Sequence, residues 1–355
     1  GVRQGEKVAI WATNVPYWVS LMFATARIGA VLVAVNTNYR DSELEYLIRQ
    51  SECEFFFCID GFLDYDYVAT LNRVIPELAS SGNAELHSAK FPKLRRVLSM
   101  NRGEAAVPHP GIMPIAEVFG MAGTVSDDEY AARMAQVAAQ DVVNMQYTSG
   151  TTGFPKGVML THANIGRNGW VCGEQLKLTE NDRLVVPLPL FHCMGCVMGV
   201  LGCATHGTAL IITESFSPER VMAAIQEERC TGMFGVPSTY VSMVGHRRYS
   251  SYDFSSMRFI LMGGASCPEA LLRKLSDTMG LESIIGAYGQ TETSPLITMP
   301  SVDDPEEKRF RTSGRAVEGI EMEIRDPSTK TALPAGEQGE ICCRGWNVMA
   351  GYYRM

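Results

Sequence analysis

The sequence has no uninterrupted run approaching ~20 apolar residues, which argues against a helical membrane span. It also lacks an excess of positive charge. Lys and Arg number 31 against 39 Asp and Glu, a formal net charge of −8. A surface of that sign repels phosphate backbones outside local basic patches, so a dedicated nucleic-acid binder is not expected. No internal repeat or low-complexity tract interrupts the chain. The opening Gly-Val-Arg-Gln-Gly-Glu-Lys does not read as a signal peptide. The expected location is cytoplasmic or, in a eukaryote, the mitochondrial matrix. There are ten cysteines, but a disulfide framework is not expected at this length without a secretion signal. Cys193 and Cys196 form a C-x-x-C with no second pair at zinc-finger spacing, and the stretch continues as an apolar helix. That pair, like Cys342-Cys343 in a strand-like run, reads as packing.

What is present is ordinary globular composition: 46% hydrophobic and 20% charged over 355 residues, enough for two or three domains or subdomains. Short apolar runs at 7–11, 31–35 and 54–59 alternate with helical patterns at 17–30 and from Ser42 toward Gln50, where Ser42 and Glu45 have capping-box spacing. Such alternation predicts a parallel sheet with crossover helices. Residues 60–140 are less regular, with some helix at 131–139. Strand patterns resume at 184–187, 209–213, 232–236, 258–262 and 283–287. Ser217-Pro218 reads as an N-cap followed by proline at the first helical position, and 268–279 as another helix. From Ser313 two alternating runs, 320–325 and 339–344, read as an antiparallel hairpin. The expected fold class is α/β: two α/β subdomains with largely parallel sheets, 1–140 and 141–312, and the start of a small antiparallel β subdomain, 313–355. Gly1 is not an initiator and no tail follows Tyr353-Arg-Met355, so the chain reads as a fragment of a longer protein.

Four segments carry chemistry. The first is Tyr147-Thr-Ser-Gly-Thr-Thr-Gly-Phe-Pro-Lys-Gly157. Gly150, Gly153 and Gly157 let backbone N–H groups approach anionic oxygens, and Thr148, Ser149, Thr151 and Thr152 add hydroxyls. Lys156 adds a point charge suited to phosphate. The common phosphate loop ends in Gly-Lys-[Ser/Thr], whereas this one sets Pro155 before the lysine and Gly157 after it. The second segment, Gly286-Ala-Tyr-Gly-Gln-Thr-Glu-Thr293, follows a strand at the carboxyl edge of a parallel sheet, where ligands bind in such folds. Ala287, Tyr288, Gly289 and Gln290 offer a flat surface for a base, Thr291 a hydroxyl, and Glu292 a hard oxygen for Mg²⁺. The third, Gly263-Gly264-Ala265, ends another strand with residues small enough for a flat ring to lie on backbone. The fourth, Pro187-Leu-Pro-Leu-Phe-His-Cys-Met-Gly195, places His192, Cys193, Met194 and Gly195 at the head of the apolar helix. Val197, Met198, Val200 and Leu201 point to an apolar tunnel, and Phe234, Gly235 and Val236 to a further wall of the same cavity. Taken alone, a histidine beside such a helix is more often a packing residue.

Together these segments resemble the adenylate-forming superfamily of acyl-CoA synthetases, luciferases and peptide-synthetase adenylation domains. The loop matches that family's phosphate loop, Tyr288-Gly-Gln-Thr-Glu292 matches its Tyr-Gly-x-Thr-Glu motif, and Gly263-Gly-Ala265 and Gly314-Arg315 follow the expected order. The resemblance covers essentially the whole chain. It implies ATP, Mg²⁺ and coenzyme A as partners, and a carboxylic acid as substrate. The loop and Lys156 would hold the β- and γ-phosphates, and Thr291 would contact the α-phosphate. Glu292 and Thr148 would hold Mg²⁺, and Tyr288 with 263–265 would sandwich the adenine. Amino-acid-activating relatives place an aspartate where His192 stands, so the acid implied has no α-amino group. The first 60 residues and the fourth segment look most like medium-chain fatty acyl-CoA ligases. A long-chain or aryl acid, a carrier-protein acceptor and a non-catalytic nucleotide-binding module stay open, as does a homodimer. The family's ribose-binding aspartate, its hinge and its C-terminal domain with a catalytic lysine do not occur in this sequence. The chain by itself is therefore expected to turn over poorly.

Overall fold

A computed structural model describes residues 1–82, 85–100, 108–148, 153–266 and 268–355. They form two compact units. The first comprises Gly1–His162, Leu190–His192 and Ala350–Met355; the second comprises Ala163–Pro189 and Cys193–Met349.

The first unit is built on an eight-stranded sheet. Its order is Gly351–Tyr352, Lys156–Thr161, Val142–Thr148, Val31–Ala34, Lys7–Trp11, Phe55–Cys58, Arg96–Ser99 and Ile112–Pro114. The strands from Val142–Thr148 to Ile112–Pro114 pair in parallel, and those at the other edge pair antiparallel. Central strands covered on both faces are apolar throughout rather than alternating, and Val8–Trp11 and Val31–Ala34 are buried without interruption. The crossover helices show the 3.6-residue period. Pro16–Arg27 starts on a proline and buries Trp18, Met22 and Thr25, while Asp41–Ser51 buries Leu44, Leu47, Ile48 and Ser51. The expected capping box is displaced. Helix Asp41–Ser51 is capped at Arg40, whose N–H donates to Glu43 Oε2 at 3.0 Å. Ser42 already lies inside the first turn, and Glu45 instead pairs with Arg49 and, at 2.7 Å, with Lys90. The helix expected at 131–139 is Asp127–Met134, because Ser126 Oγ accepts from Glu129 N at 3.2 Å and starts it earlier.

The second unit holds a seven-stranded sheet ordered Ala209–Ile212, Arg183–Val186, Gly232–Gly235, Phe259–Gly263, Ser283–Gly289, Leu296–Met299, Arg315–Ala316. The first five strands are parallel and the last two antiparallel. Successive side chains of one strand enter opposite cores, as a period of two requires. Leu184, Val186, Phe234, Phe259, Leu261 and Ile285 pack with helix His162–Leu176 and with Met198 and Cys203. Val185, Met233, Ile260, Met262 and Ile284 pack with helices Pro218–Glu227, Pro237–Val244 and Glu269–Met279. The hairpin is Ile320–Arg325 against Glu340–Gly345, antiparallel in the register Ile320↔Gly345.

The apolar helix after His192 differs from an ordinary α-helix. Met194–Leu201 is a π-helix that runs into the α-helix Gly202–His206. Its glycines permit backbone contact: a Cβ on Gly195 would stand 2.5 Å from Pro189 O, and one on Gly199 3.0 Å from Val186 Cγ1. Strands Val142–Thr148 and Lys156–Thr161 join the first sheet, so the first unit runs on to His162 rather than ending near 140.

Candidate active site

The phosphate-type loop is anchored at both ends by sheet. Thr148 stands opposite Lys156, and Tyr147 opposite Gly157, across an antiparallel pair. Ser149, Gly150, Thr151 and Thr152 lie outside the described residues. Gly153 has φ +109°, in the region that favours glycine. After it, Phe154 stacks on Tyr46, with centroids 4.9 Å apart, and Tyr46 Oη donates to Pro155 O at 3.0 Å. Lys156 Nζ lies 5.0 Å from the centroid of the Tyr352 ring. A relay fixes the neck: Tyr147 Oη donates to Gln50 Oε1, Gln50 Nε2 to Tyr353 O at 2.9 Å, and Tyr353 N to Gly157 O at 2.8 Å. Burial pushes the Tyr147 phenol up, so it stays a neutral donor. Sequence reasoning missed Tyr46, Gln50, Tyr352 and Tyr353, since nothing local marks contacts made across a hundred to three hundred positions.

In the second unit the glycine pair and the tyrosine segment come together. Phe259–Gly263 and Ser283–Gly289 are adjacent parallel strands in the register Met262↔Gly286 and Gly263↔Ala287. At their carboxyl ends lies a cavity of about 460 Å³, which Gly264, Ala265, Gly286, Ala287, Tyr288 and Gly289 help to line. Gly264 has φ +79°, which re-aims the chain over the cavity. A Cβ on Gly286 would meet nothing within 4 Å, so this glycine borders open space. The opposite wall is residues 309–313, which sequence reasoning missed; the charged run Glu306-Glu-Lys-Arg-Phe-Arg311 reads locally as a solvated face.

Met194 and Val236 approach the glycine pair from behind. A Cβ on Gly263 would be 3.5 Å from the Met194 sulfur, and one on Gly264 3.4 Å from Val236 Cγ1. Phe234 is fully buried beneath them, and Gly235 admits the Tyr240 ring, 2.8 Å from where a Cβ would stand. Met198 belongs to the core cluster. His192, in the first unit, is exposed, with its ring tilted 4.4 Å from that of Phe191. Partial desolvation still lowers its pKa, which favours the neutral imidazole.

Thr291–Thr293 form a single 3₁₀ turn after Gln290. Glu292 O accepts from Met349 N at 2.9 Å. Buried asparagines brace the turn: Asn168 Nδ2 donates to Thr293 O at 3.3 Å, Leu296 N donates to Asn168 Oδ1 at 3.4 Å, and Asn347 Nδ2 donates to Leu296 O at 3.0 Å. Burial, and then the nearby charges of Cys196 and Glu292, push the Cys193 thiol well up, so it stays protonated. Among the described residues no group of three or more His, Cys, Asp or Glu forms a metal cage. Mg²⁺ that arrives with a nucleotide is usually held by one or two carboxylates plus phosphates and water, a mode that a single carboxylate such as Glu292 suits.

Residues 1–353 match the family model described as AMP-binding enzyme. "Putative acyl-CoA synthetase YngI" of Bacillus subtilis is 41% identical over 354 residues, covering 100% of this chain and 64% of that protein. "Medium-chain acyl-CoA ligase ACSF2, mitochondrial" of Rattus norvegicus is 33% identical over 359 residues, covering 99% of this chain and 58% of that one. The chain thus spans less than two thirds of these relatives' length. Among solved structures, the anthranilate CoA ligase AuaEII in complex with anthranoyl-AMP superposes with TM-score 0.81 at 23% identity, over 100% of this chain and 63% of that one. At that identity the likeness speaks for the fold.

Proposed function

The chain belongs to the AMP-binding enzyme family, and from that membership we propose that it serves ATP-dependent activation of a carboxylic acid followed by transfer to coenzyme A. A carboxylate oxygen attacks the α-phosphorus of ATP, the bond to the bridging oxygen breaks, and pyrophosphate leaves an acyl-adenylate. The coenzyme A thiolate then attacks the acyl carbon and AMP departs. Little covalent work falls to the protein in the first step, so its residues position groups and neutralise charge. The observation that carries the reading is the cavity at the ends of two adjacent strands, floored by Gly264, Ala265 and 286–289. Such a floor suits a flat base, with Tyr288 on its rim. Lys156 and the loop hydroxyls would neutralise the β- and γ-phosphates, and Thr291 would contact the α-phosphate. Glu292 would hold Mg²⁺, which would supply charge neutralisation on the triphosphate.

The substrate we propose is a medium-chain aliphatic acid, supported by the likeness to the medium-chain acyl-CoA ligase ACSF2 and by the apolar Met194, Phe234 and Val236 behind the glycine pair. Neutral His192 would border the carboxylate. The proposed location is the cytoplasm or a mitochondrial matrix; no helix of the described residues is long and apolar enough to cross a membrane. The test is carboxylate-dependent ATP–pyrophosphate exchange by the purified full-length protein over aliphatic acids of graded length and aryl acids, followed by thioester formation with free coenzyme A. Exchange peaking at medium length, with thioester formed, supports the reading. A peak on aryl acids overturns the substrate, exchange without thioester overturns the acceptor, and no exchange with any acid overturns the function.

A further inference from the structure

The wall of the cavity at 309–313 stands on a helix of six residues, Glu306–Arg311. A helix that short is not stable alone, so its place must be fixed from outside. Two things do so. Phe310 inserts into the core beside Leu272 and Leu275. Beside it runs a chain of ion pairs, Glu306–Arg273–Glu269–Arg311–Glu307. Glu269 Oε1 accepts from Arg273 Nη2 at 2.6 Å, and Glu269 Oε2 from Arg311 Nε at 3.3 Å. Arg273 Nη1 donates in turn to Glu306 Oε1 at 3.2 Å, and Arg311 Nη1 to Glu307 Oε1 at 3.2 Å. Glu306, Glu307 and Arg311 belong to the short helix, whereas Glu269 and Arg273 sit in the first turns of Glu269–Met279, whose N-terminus follows the glycine segment 263–265. The Arg273 guanidinium also stands 5.7 Å over the Phe310 ring. Five charges therefore tie one wall of the cavity to the helix that begins beside the other.

We propose that Glu269, bridging Arg273 and Arg311, is a positioning residue that fixes the 309–313 wall and thereby sets the affinity for the nucleobase end of ATP. The proposal rests on the nucleotide reading of this cavity. Single exposed ion pairs contribute little, but a network that shares one carboxylate between two guanidinium groups is held as a unit, and it is screened by salt. Glu269 reaches the lining only through Arg311 and is not itself part of it, so its removal acts on binding rather than on the chemical step.

The experiment compares wild type with Glu269→Gln, Glu269→Asp and, as a charge control on the same helix, Lys274→Gln, by calorimetric titration with ATP and by exchange kinetics at low and high KCl. Glu269→Gln is expected to raise the KM and Kd for ATP about 5- to 10-fold with kcat and Tm nearly unchanged. Glu269→Asp should recover part of the loss, and Lys274→Gln should change neither. Raising KCl should weaken ATP binding in both proteins through the triphosphate contacts, but more in wild type, so that the gap to Glu269→Gln narrows. Equal Kd in wild type and Glu269→Gln, or a loss confined to kcat, overturns the clasp. Failure of the wild type to bind ATP at all overturns instead the nucleotide reading on which it rests.

Discussion

Gly286 and Lys156 are the residues whose replacement reports most directly on the site. A side chain at 286 would meet no atom within 4 Å of its Cβ, and the residue lines the cavity. Gly286→Leu should therefore fold normally and fill space meant for ligand, raising the KM for ATP or acid at least ~10-fold, since burying or blocking a few methylene-sized volumes is worth ~1–3 kcal/mol. Unchanged kinetics with an unchanged thermal midpoint would remove 286 from the site. Lys156→Ala should slow adenylate formation by about 10²–10³, the usual cost of losing one preorganised charge contact. Its half-buried ammonium over the Tyr352 ring makes no structural hydrogen bond among the described residues, so the thermal midpoint should shift little. An exchange rate equal to wild type would take Lys156 out of the mechanism.

At the scale of elements, the turn bearing Thr291 and Glu292 is held by side chains from elsewhere rather than by its own sequence. Asn168 is fully buried, and both ends of its amide are committed to Thr293 O and Leu296 N. Asn168→Ala should leave those backbone groups unsatisfied, costing roughly 1–3 kcal/mol of stability. It should also loosen the turn, so that the Mg²⁺ concentration for half-maximal exchange rises. A urea midpoint shifted without any change in Mg²⁺ dependence would make Asn168 a packing residue only. Local patterns disclosed the strands and helices well, because an apolar run or a 3.6-residue period is itself the cause of the element. They missed the start of Asp41–Ser51, where Arg40 competes successfully with Ser42 as cap, and the π-winding of Met194–Leu201, which follows from glycines pressed on Pro189 and Val186.

For the molecule as a whole, burial controls the cysteines. Cys53, Cys58, Cys172, Cys193, Cys196, Cys203 and Cys230 are buried thiols, while Cys342 and Cys343 on the hairpin are partly exposed. Desolvation raises the Cys53, Cys203 and Cys230 thiols to about 12, leaving negligible thiolate near neutrality. Alkylation at pH 7.5, followed by peptide mapping, should modify Cys342 and Cys343 in the native protein and the seven buried thiols only after denaturant is added. Fast native labelling of Cys53 or Cys203 would contradict the packing. Cys193 and Cys196 of the C-x-x-C are both buried in an apolar core.

The sequence by itself determined the α/β class, part of the order of its strands and helices and, through the loop at 147–157, the glycine pair and Tyr288-Gly-Gln-Thr-Glu292, the family. Each of these is a short-range pattern, in which the residues that cause the feature lie next to one another. Only the tertiary structure decided that 309–313 forms a wall of the cavity, that Gln50 and Tyr353 brace the neck of the loop, and that the buried Asn168 and Asn347 hold the turn of Glu292. Those roles come from contacts between residues far apart along the chain. Such contacts leave no periodicity and no motif, because what makes an arginine a wall or an asparagine a brace is what the fold sets beside it.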